Sequence, residues 1–279
     1  MQDERQPLEV ERTRELLAQA GIDRRVALTH ALRTGSTNAD LAAPTGSAAA
    51  AHTPFTVLTT EEQVAGRGRS GRTWSCPPGA GLMFSVRADR GRIPAERIGW
   101  IGAVLGLAIL DAVRPLLPDL RPVTLKWPND VLVGPRKLAG ILAEMGPAGV
   151  VVGSGINISL RTDELPRDDA TSLRLAGAGP VDRAALLAAI LGSFVARFDR
   201  WEAAGGDVDA AGVRGDYRAV CSTLGTDVRV QLPGGSSVTG QAEDVDPDGG
   251  IVLRTPDGAH TTYRAGDVVH LRPADTLPG

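Results

Sequence analysis

The sequence predicts an α/β (α+β) fold: a mixed β-sheet with packed helices, followed by a small all-β unit at the C-terminus. Three observations carry this. Between residues 123 and 158, apolar and β-branched runs are bounded by Pro, Gly or Asn-Asp, as in successive strands of one sheet. Two long segments, 97–116 and 182–201, have the apolar content of buried helices. Beyond Leu224, five short β-like segments (227–232, 237–245, 250–254, 260–264 and 267–271) are separated by turns such as Pro233-Gly-Gly and Asp246-Pro-Asp-Gly. Short strands at this spacing predict a small barrel. The expected division is an N-terminal segment 1–25, a main domain 26–223, a C-terminal domain 224–272 and a tail 273–279.

Each element has a local reason. Residues 8–20 place Leu8, Val10, Leu16 and Leu17 at helical spacing and close at Gly21. Residues 26–33 form a short strand, and Ser36 or Thr37 caps the helix that follows. Residues 43–54 are small, polar and Pro/Gly-bearing, a surface loop. Strands follow at 56–60 and 82–87. The helix 97–116 ends at Pro115 and Pro118. Strands are expected at 123–126, 131–133, 137–145 and 150–158. A further helix over 207–223 is expected to break near Gly215.

Composition excludes several classes. With 279 residues, 42% hydrophobic and only 4% aromatic, the core must be mainly Val, Leu, Ile and Ala. A net charge of −3 argues against a nucleic-acid binder, whose domain carries a strong basic excess. Cys76 and Cys221 make no disulfide framework or metal pattern, which favours a reduced, cytoplasmic setting. The charged N-terminus lacks a signal-peptide core, and the apolar stretch 98–110 is too short to span a bilayer. The four histidines have no ligand spacing.

The most informative stretch is Gly66-Arg-Gly-Arg-Ser-Gly-Arg72. Arg67, Arg69 and Arg72 alternate with small residues, a cationic loop able to close over a small anion. Gly66, Gly68 and Gly71 satisfy GxGxxG literally, but the dinucleotide fingerprint requires a helix directly afterwards. Pro77, Pro78, Gly79 and Gly81 make that helix improbable, and no GxxxxGK[ST] motif occurs.

Five motifs stand in one order: Thr34-Gly-Ser-Thr-Asn-Ala, Glu62-Gln-Val-Ala-Gly-Arg-Gly-Arg-Ser-Gly-Arg-Thr-Trp, Leu125-Lys-Trp-Pro-Asn-Asp, Arg136-Lys-Leu-Ala-Gly-Ile-Leu-Ala-Glu and Gly153-Ser-Gly-Ile-Asn-Ile. This order resembles the biotin protein ligases, enzymes that attach biotin to a lysine of carboxylase carrier domains. The resemblance runs from about residue 30 to 272. It implies a mixed α/β catalytic domain with an SH3-like C-terminal barrel. It also implies two steps: biotin and ATP, with Mg2+, give biotinyl-5′-AMP, and the carrier lysine then takes the biotinyl group. Only about 30 residues precede the first motif, so the resemblance is to the monofunctional type, with no DNA-binding domain and no repressor activity expected.

The resemblance implies catalytic roles for Lys137, Arg69 and Asp130. For Lys137 the alternative is an edge-strand lysine that discourages aggregation. Lys126 is the second candidate lysine. Asp130 would position Mg2+–ATP or activate the incoming lysine, and Asn129-Asp130 could equally be only a turn. Biotin contacts are implied for Ser36, Thr37, Asn38, Gln63, Gly66, Arg67, Gly68, Arg69, Lys137, Gly140, Gly153 and Gly155. The last three would let backbone lie against a flat ligand, or mark strand bulges. ATP or adenylate contacts are implied for Arg67, Arg69, Arg72, Trp74, Lys126, Trp127, Asn129 and Asn157; the two tryptophans could instead pack in the core. The competing readings are a lipoate or octanoate ligase-like acyltransferase and a non-catalytic biotin sensor.

Overall fold

A computed structural model describes residues 5–43, 53–118, 121–147, 149–232, 234–264 and 266–270. The first helix, α1 (Val10–Gln19), packs against α4 (Arg183–Ala203) through the buried Leu17. Strand β1 (Val26–Thr34) runs through α2 (Thr37–Ala42) into β2 (Phe55–Gln63), and the two strands pair in parallel. Then come β3 (Gly81–Ala88), α3 (Ile101–Val113), β4 (Val123–Lys126), β5 (Asp130–Val133), β6 (Arg136–Gly146) and β7 (Gly149–Asn157). They form one seven-stranded mixed sheet in the order β1-β2-β3-β7-β6-β5-β4. Because side chains alternate along a strand, the sheet has two distinct faces. On one face, Gly102 and Gly106 of α3 approach Ile141 and Leu125 closely, and α4 packs on α3. The opposite face holds α2, beside the glycines of β7.

The C-terminal unit is a five-stranded antiparallel sheet of β8 (Asp227–Gln231), β9 (Ser237–Val245), β10 (Ile251–Arg254), β11 (His260–Tyr263) and β12 (Asp267–His270). Its order is β11-β10-β9-β8-β12. Helix α5 (Val213–Val220) precedes it and joins it through Arg214, which donates to the Val245 carbonyl and pairs with Asp244 at 2.9 Å.

Several expectations change. The helix expected over 207–223 does not break at Gly215; it begins only after Gly212, whose φ of 74° is a left-handed conformation natural to glycine. Ser36 stands at the N-cap of α2, yet its side chain makes no capping bond. Gln63 takes that role: its Oε1 accepts from the Thr37 backbone N–H at 2.8 Å. The apolar helix is longer than its α-helical core, because short 3-10 turns extend it to Ala95–Leu116. Those 22 residues are long and apolar enough to cross a membrane, but 67% of their apolar window is buried inside the fold. This is a core helix. The loop expected at 43–54 and the tail from 273 fall largely or wholly outside the described residues.

Candidate active site

The face of the sheet that carries α2 opens into a cleft of about 950 Å3. Every candidate residue named from the sequence lines it except Gly66, which lines an adjoining cavity of about 940 Å3 bounded by the same arginine loop. A Cβ at Gly66 would overlap the Trp74 carbonyl, so its small size serves the loop's own turn.

Lys137 owes its direction to a bulge. The pairing of β5 with β6 runs Val131↔Ala139 and then Leu132↔Lys137, so Leu138 is one extra residue on β6. By simple alternation Lys137 would share a face with Ala139 and Ile141, which are core residues. The extra residue turns it to the side of Gly140, where its Nζ lies 2.6 Å from Asp130 Oδ1. A bulge of this kind re-aims one side chain without disturbing the rest of the strand. Strand β6 lies inside the sheet, so the edge-strand reading of Lys137 fails. Its backbone is held as well: Lys137 N–H donates to the Asp169 carbonyl and its carbonyl accepts from Thr171 N–H, each at 2.8 Å.

The arginine loop is a tight turn, closed by a bond from Gly68 N–H to the Arg72 carbonyl at 2.7 Å. No helix follows it before β3, as the prolines require. The loop lies against β12 of the C-terminal sheet. Arg72 pairs with Asp267 at 2.6 Å, and Arg69 donates to the Gly266 carbonyl at 3.1 Å. Arg67 pairs with Glu144 at 3.4 Å. Arg69 and Lys126 have no carboxylate within ion-pair distance among the described residues. Burial pushes the Arg69 guanidinium below its ordinary pKa, opposed by Asp267. Burial does the same to Lys126, opposed by Asp130 and Asp169. A desolvated cation without a carboxylate partner gains most from an incoming anion.

The glycines of β6 and β7 are not bulges. Gly140 pairs with Gly155, and Leu142 with Gly153, in unbroken register. Their open faces receive protein side chains: the Trp74 indole lies where a Cβ on Gly155 would stand, and the Asn38 side chain where one on Gly153 would stand. The Trp74 Nε1–H is buried without a hydrogen-bond partner.

Other candidates are engaged structurally. Asn129 Nδ2 donates to the Ile141 carbonyl at 2.8 Å, and Asn157 Nδ2 to the Thr171 carbonyl at 2.9 Å. Trp127 is 4% exposed and donates to the Gly249 carbonyl at 3.0 Å, joining the cleft wall to the C-terminal unit. Trp127 therefore packs in the core while also lining the cleft.

Sequence reading missed four contributors: Ser85, Glu144, the Arg167–Asp169 pair and Asp267. Ser85 carries a signal, a hydroxyl in a buried strand whose one other polar side chain is Arg87. Nothing local marks Asp267, whose partner lies 195 residues away.

Comparison with known proteins agrees with this geometry. Residues 41–160 match the biotin/lipoate A/B protein ligase family, and residues 223–271 match the biotin protein ligase C-terminal domain. The biotin–[acetyl-CoA-carboxylase] ligase of Mycobacterium tuberculosis is 42% identical over 96% of this chain and 97% of its own length. The chain belongs to the biotin protein ligase family. The bifunctional ligase/repressor of Bacillus spizizenii is 29% identical over 75% of this chain, which matches 65% of that protein. A biotin protein ligase from Aquifex aeolicus, solved with biotin and ATP, superposes with a TM-score of 0.70 at 25% identity, covering 88% of this chain and 99% of that one. The mixed sheet and small C-terminal sheet are the architecture of this family.

Proposed function

We propose that this chain is an ATP-dependent biotin–[biotin carboxyl carrier protein] ligase. The observation that carries the reading is the convergence of all five motifs on one cleft, with Lys137 turned into it beside Asp130. The reaction brings together two anions, a carboxylate and a triphosphate, and needs cations where charge develops. The biotin carboxylate oxygen attacks the α-phosphorus, the bond to the bridging oxygen breaks, and pyrophosphate leaves. The carrier lysine's amine then attacks the biotinyl carbonyl, and AMP leaves with the electron pair.

Lys137 stabilises charge on the carboxylate and α-phosphate. Arg69 and Lys126 are the cations whose partners are supplied by the phosphates. Arg67 and Arg72 are half-exposed and already paired, which suits a clamp that exchanges a carboxylate for a ligand anion. Asp130 is placed to accept a proton from the incoming amine once Lys137 engages the ligand. No group of three His, Cys, Asp or Glu suited to a metal occurs among the described residues. Asp130 would be the carboxylate that helps hold an Mg2+ ion brought in on the ATP phosphates, and the ion would supply neutralisation of phosphate charge. The catalytic unit is 26–223, and the C-terminal unit 224–272 contributes Asp267 and Gly266 to the loop's seat. The partner is a biotin carboxyl carrier domain, and the setting is cytoplasmic.

The decisive experiment is ATP-dependent labelling of a purified carrier domain with biotin. The wild-type chain should label it, and Lys137→Ala should reduce the rate roughly 100-fold or more. Labelling by lipoate in place of biotin, or a Lys137→Ala rate equal to wild type, would reject the proposal.

A further inference from the structure

One wall of the cleft is the loop 158–173, which follows β7; its residues Pro166, Arg167, Asp169 and Ala170 line the cavity. Both ends of the loop are fastened. Ile158 and Ser159 N–H donate to the Ala80 carbonyl at 3.0 and 2.8 Å, and Leu173 N–H donates to the Asn157 carbonyl at 3.0 Å. Near the second end, the Asp169 carbonyl and the Thr171 N–H hold the backbone of Lys137. The middle rests on little apolar surface. Leu160 and the partly buried Leu165 belong to a small cluster with Cys76, Ala80, Met83 and Trp74, separate from the main core. A segment with so few buried apolar contacts opens locally at low cost.

Arg5 reaches this middle from 159 residues away. Its guanidinium forks onto the Glu164 carboxylate, Nη1 to Oε1 at 3.1 Å and Nη2 to Oε2 at 2.6 Å, and Nη2 also donates to the Ser159 carbonyl at 3.1 Å. Both side chains are largely buried. Arg5 is itself held in place. Gly79, at φ 71°, passes so close that a Cβ on it would stand 2.6 Å from the Arg5 Cβ. The Gln6 carbonyl accepts from Arg183, and the Leu8 N–H donates to Glu61 Oε1 at 2.7 Å.

We infer that Arg5 is a positioning residue: through Glu164 it pins the loop 158–173 in the seated form that completes the nucleotide side of the cleft and holds the Lys137 backbone. The loop's Asp169 is one of the carboxylates facing Lys126, a cation whose partner the phosphates supply. The role in ATP binding rests on the biotin ligase reading above; the pin itself does not.

Two readouts on the full chain test it. The first needs no ligand: trypsin cleavage after the half-exposed Arg167, followed by mass spectrometry. Arg5→Met should speed this cut at least about fivefold, because cleavage follows the population of the open loop. The second is biotin-dependent ATP–pyrophosphate exchange. In Arg5→Met the KM for ATP should rise about threefold to thirtyfold, because the binding-competent fraction falls, with the KM for biotin within about twofold of wild type. A general loss of stability would not split the two constants. Arg5→Lys keeps one charged contact and should recover most of both effects. Arg161→Met removes the partner of Glu164 that lies within the loop, a half-exposed one, and should leave both readouts within about twofold of wild type. Glu164→Gln covers the case in which Arg5→Met does not fold, and the double variant should add little to either single one. Unchanged cleavage in Arg5→Met and Glu164→Gln, or an equal effect from Arg161→Met, would overturn the pin. Faster cleavage with an unchanged KM for ATP would overturn the positioning role and leave the biotin reading intact. A wild-type chain with no biotin-dependent exchange would overturn the biotin reading and the positioning role together.

Discussion

Replacing Gly155 by alanine should set two effects of known size against each other. In the middle of a strand, alanine is better than glycine by about 0.5–1 kcal/mol, because glycine loses more conformational freedom on folding. At Gly155 the new methyl would lie well under 3.0 Å from the Trp74 indole, far inside ordinary van der Waals contact. The indole must retreat from the sheet, an overpacking cost of about 1–3 kcal/mol. Gly155→Ala should therefore be destabilising or near neutral in the native background. In a Trp74→Ala background the clash is gone and the same substitution should stabilise. The coupling between the two sites is about 1–3 kcal/mol, read as a difference of urea midpoints in a double-mutant cycle. An equal effect of Gly155→Ala in both backgrounds would refute the placement of Trp74 on the glycine face. Nucleotide KM gives a second reading, since the displaced indole leaves the cleft wall with its unpaired Nε1–H.

Two further outcomes follow from charges away from the cleft. Arg183 and Glu61 form a buried pair at 2.8 Å that also holds the Leu8 N–H and the Gln6 carbonyl. Arg183→Met should cost about 3–5 kcal/mol in urea unfolding, because it strands a buried carboxylate, and Glu61→Gln added to it should restore part of the loss. Glu164 hydrogen-bonds to Arg5, which holds its carboxyl down to about 2 from an ordinary 4.5. A depressed folded-state value means stability that is complete above pH 4.5 and lost as pH falls toward 2. The stability gap between wild type and Glu164→Gln should accordingly be flat above about pH 5 and close between 4.5 and 2.

The sequence by itself determined the elements and their order. The buried strands between 123 and 158, the helices and the five C-terminal strands were readable because period and turn chemistry are local properties of the chain. In one place where local reading went astray, a residue distant in sequence had taken over a local role. Gln63 caps the helix that Ser36 should cap; the other miss was local, since Gly212, not Gly215, sets where its helix begins. The site residues were legible as a set of polar and charged types in apolar or glycine-rich surroundings, and the structure gathers nearly all of them into one cleft.

Only the tertiary structure decided what each one touches. A single extra residue at Leu138 turns Lys137 from the core face to the cleft, and a bulge of one residue leaves no mark in composition or spacing. The glycines of β7 looked like a floor for a ligand; in the fold they admit Trp74 and Asn38. Ser85 and Asp267 act through partners 47 and 195 residues away. The cationic loop was visible in the sequence, but its seat on the C-terminal sheet was not. Pairings of that separation depend on how strands register and sheets pack, which no short window of sequence contains.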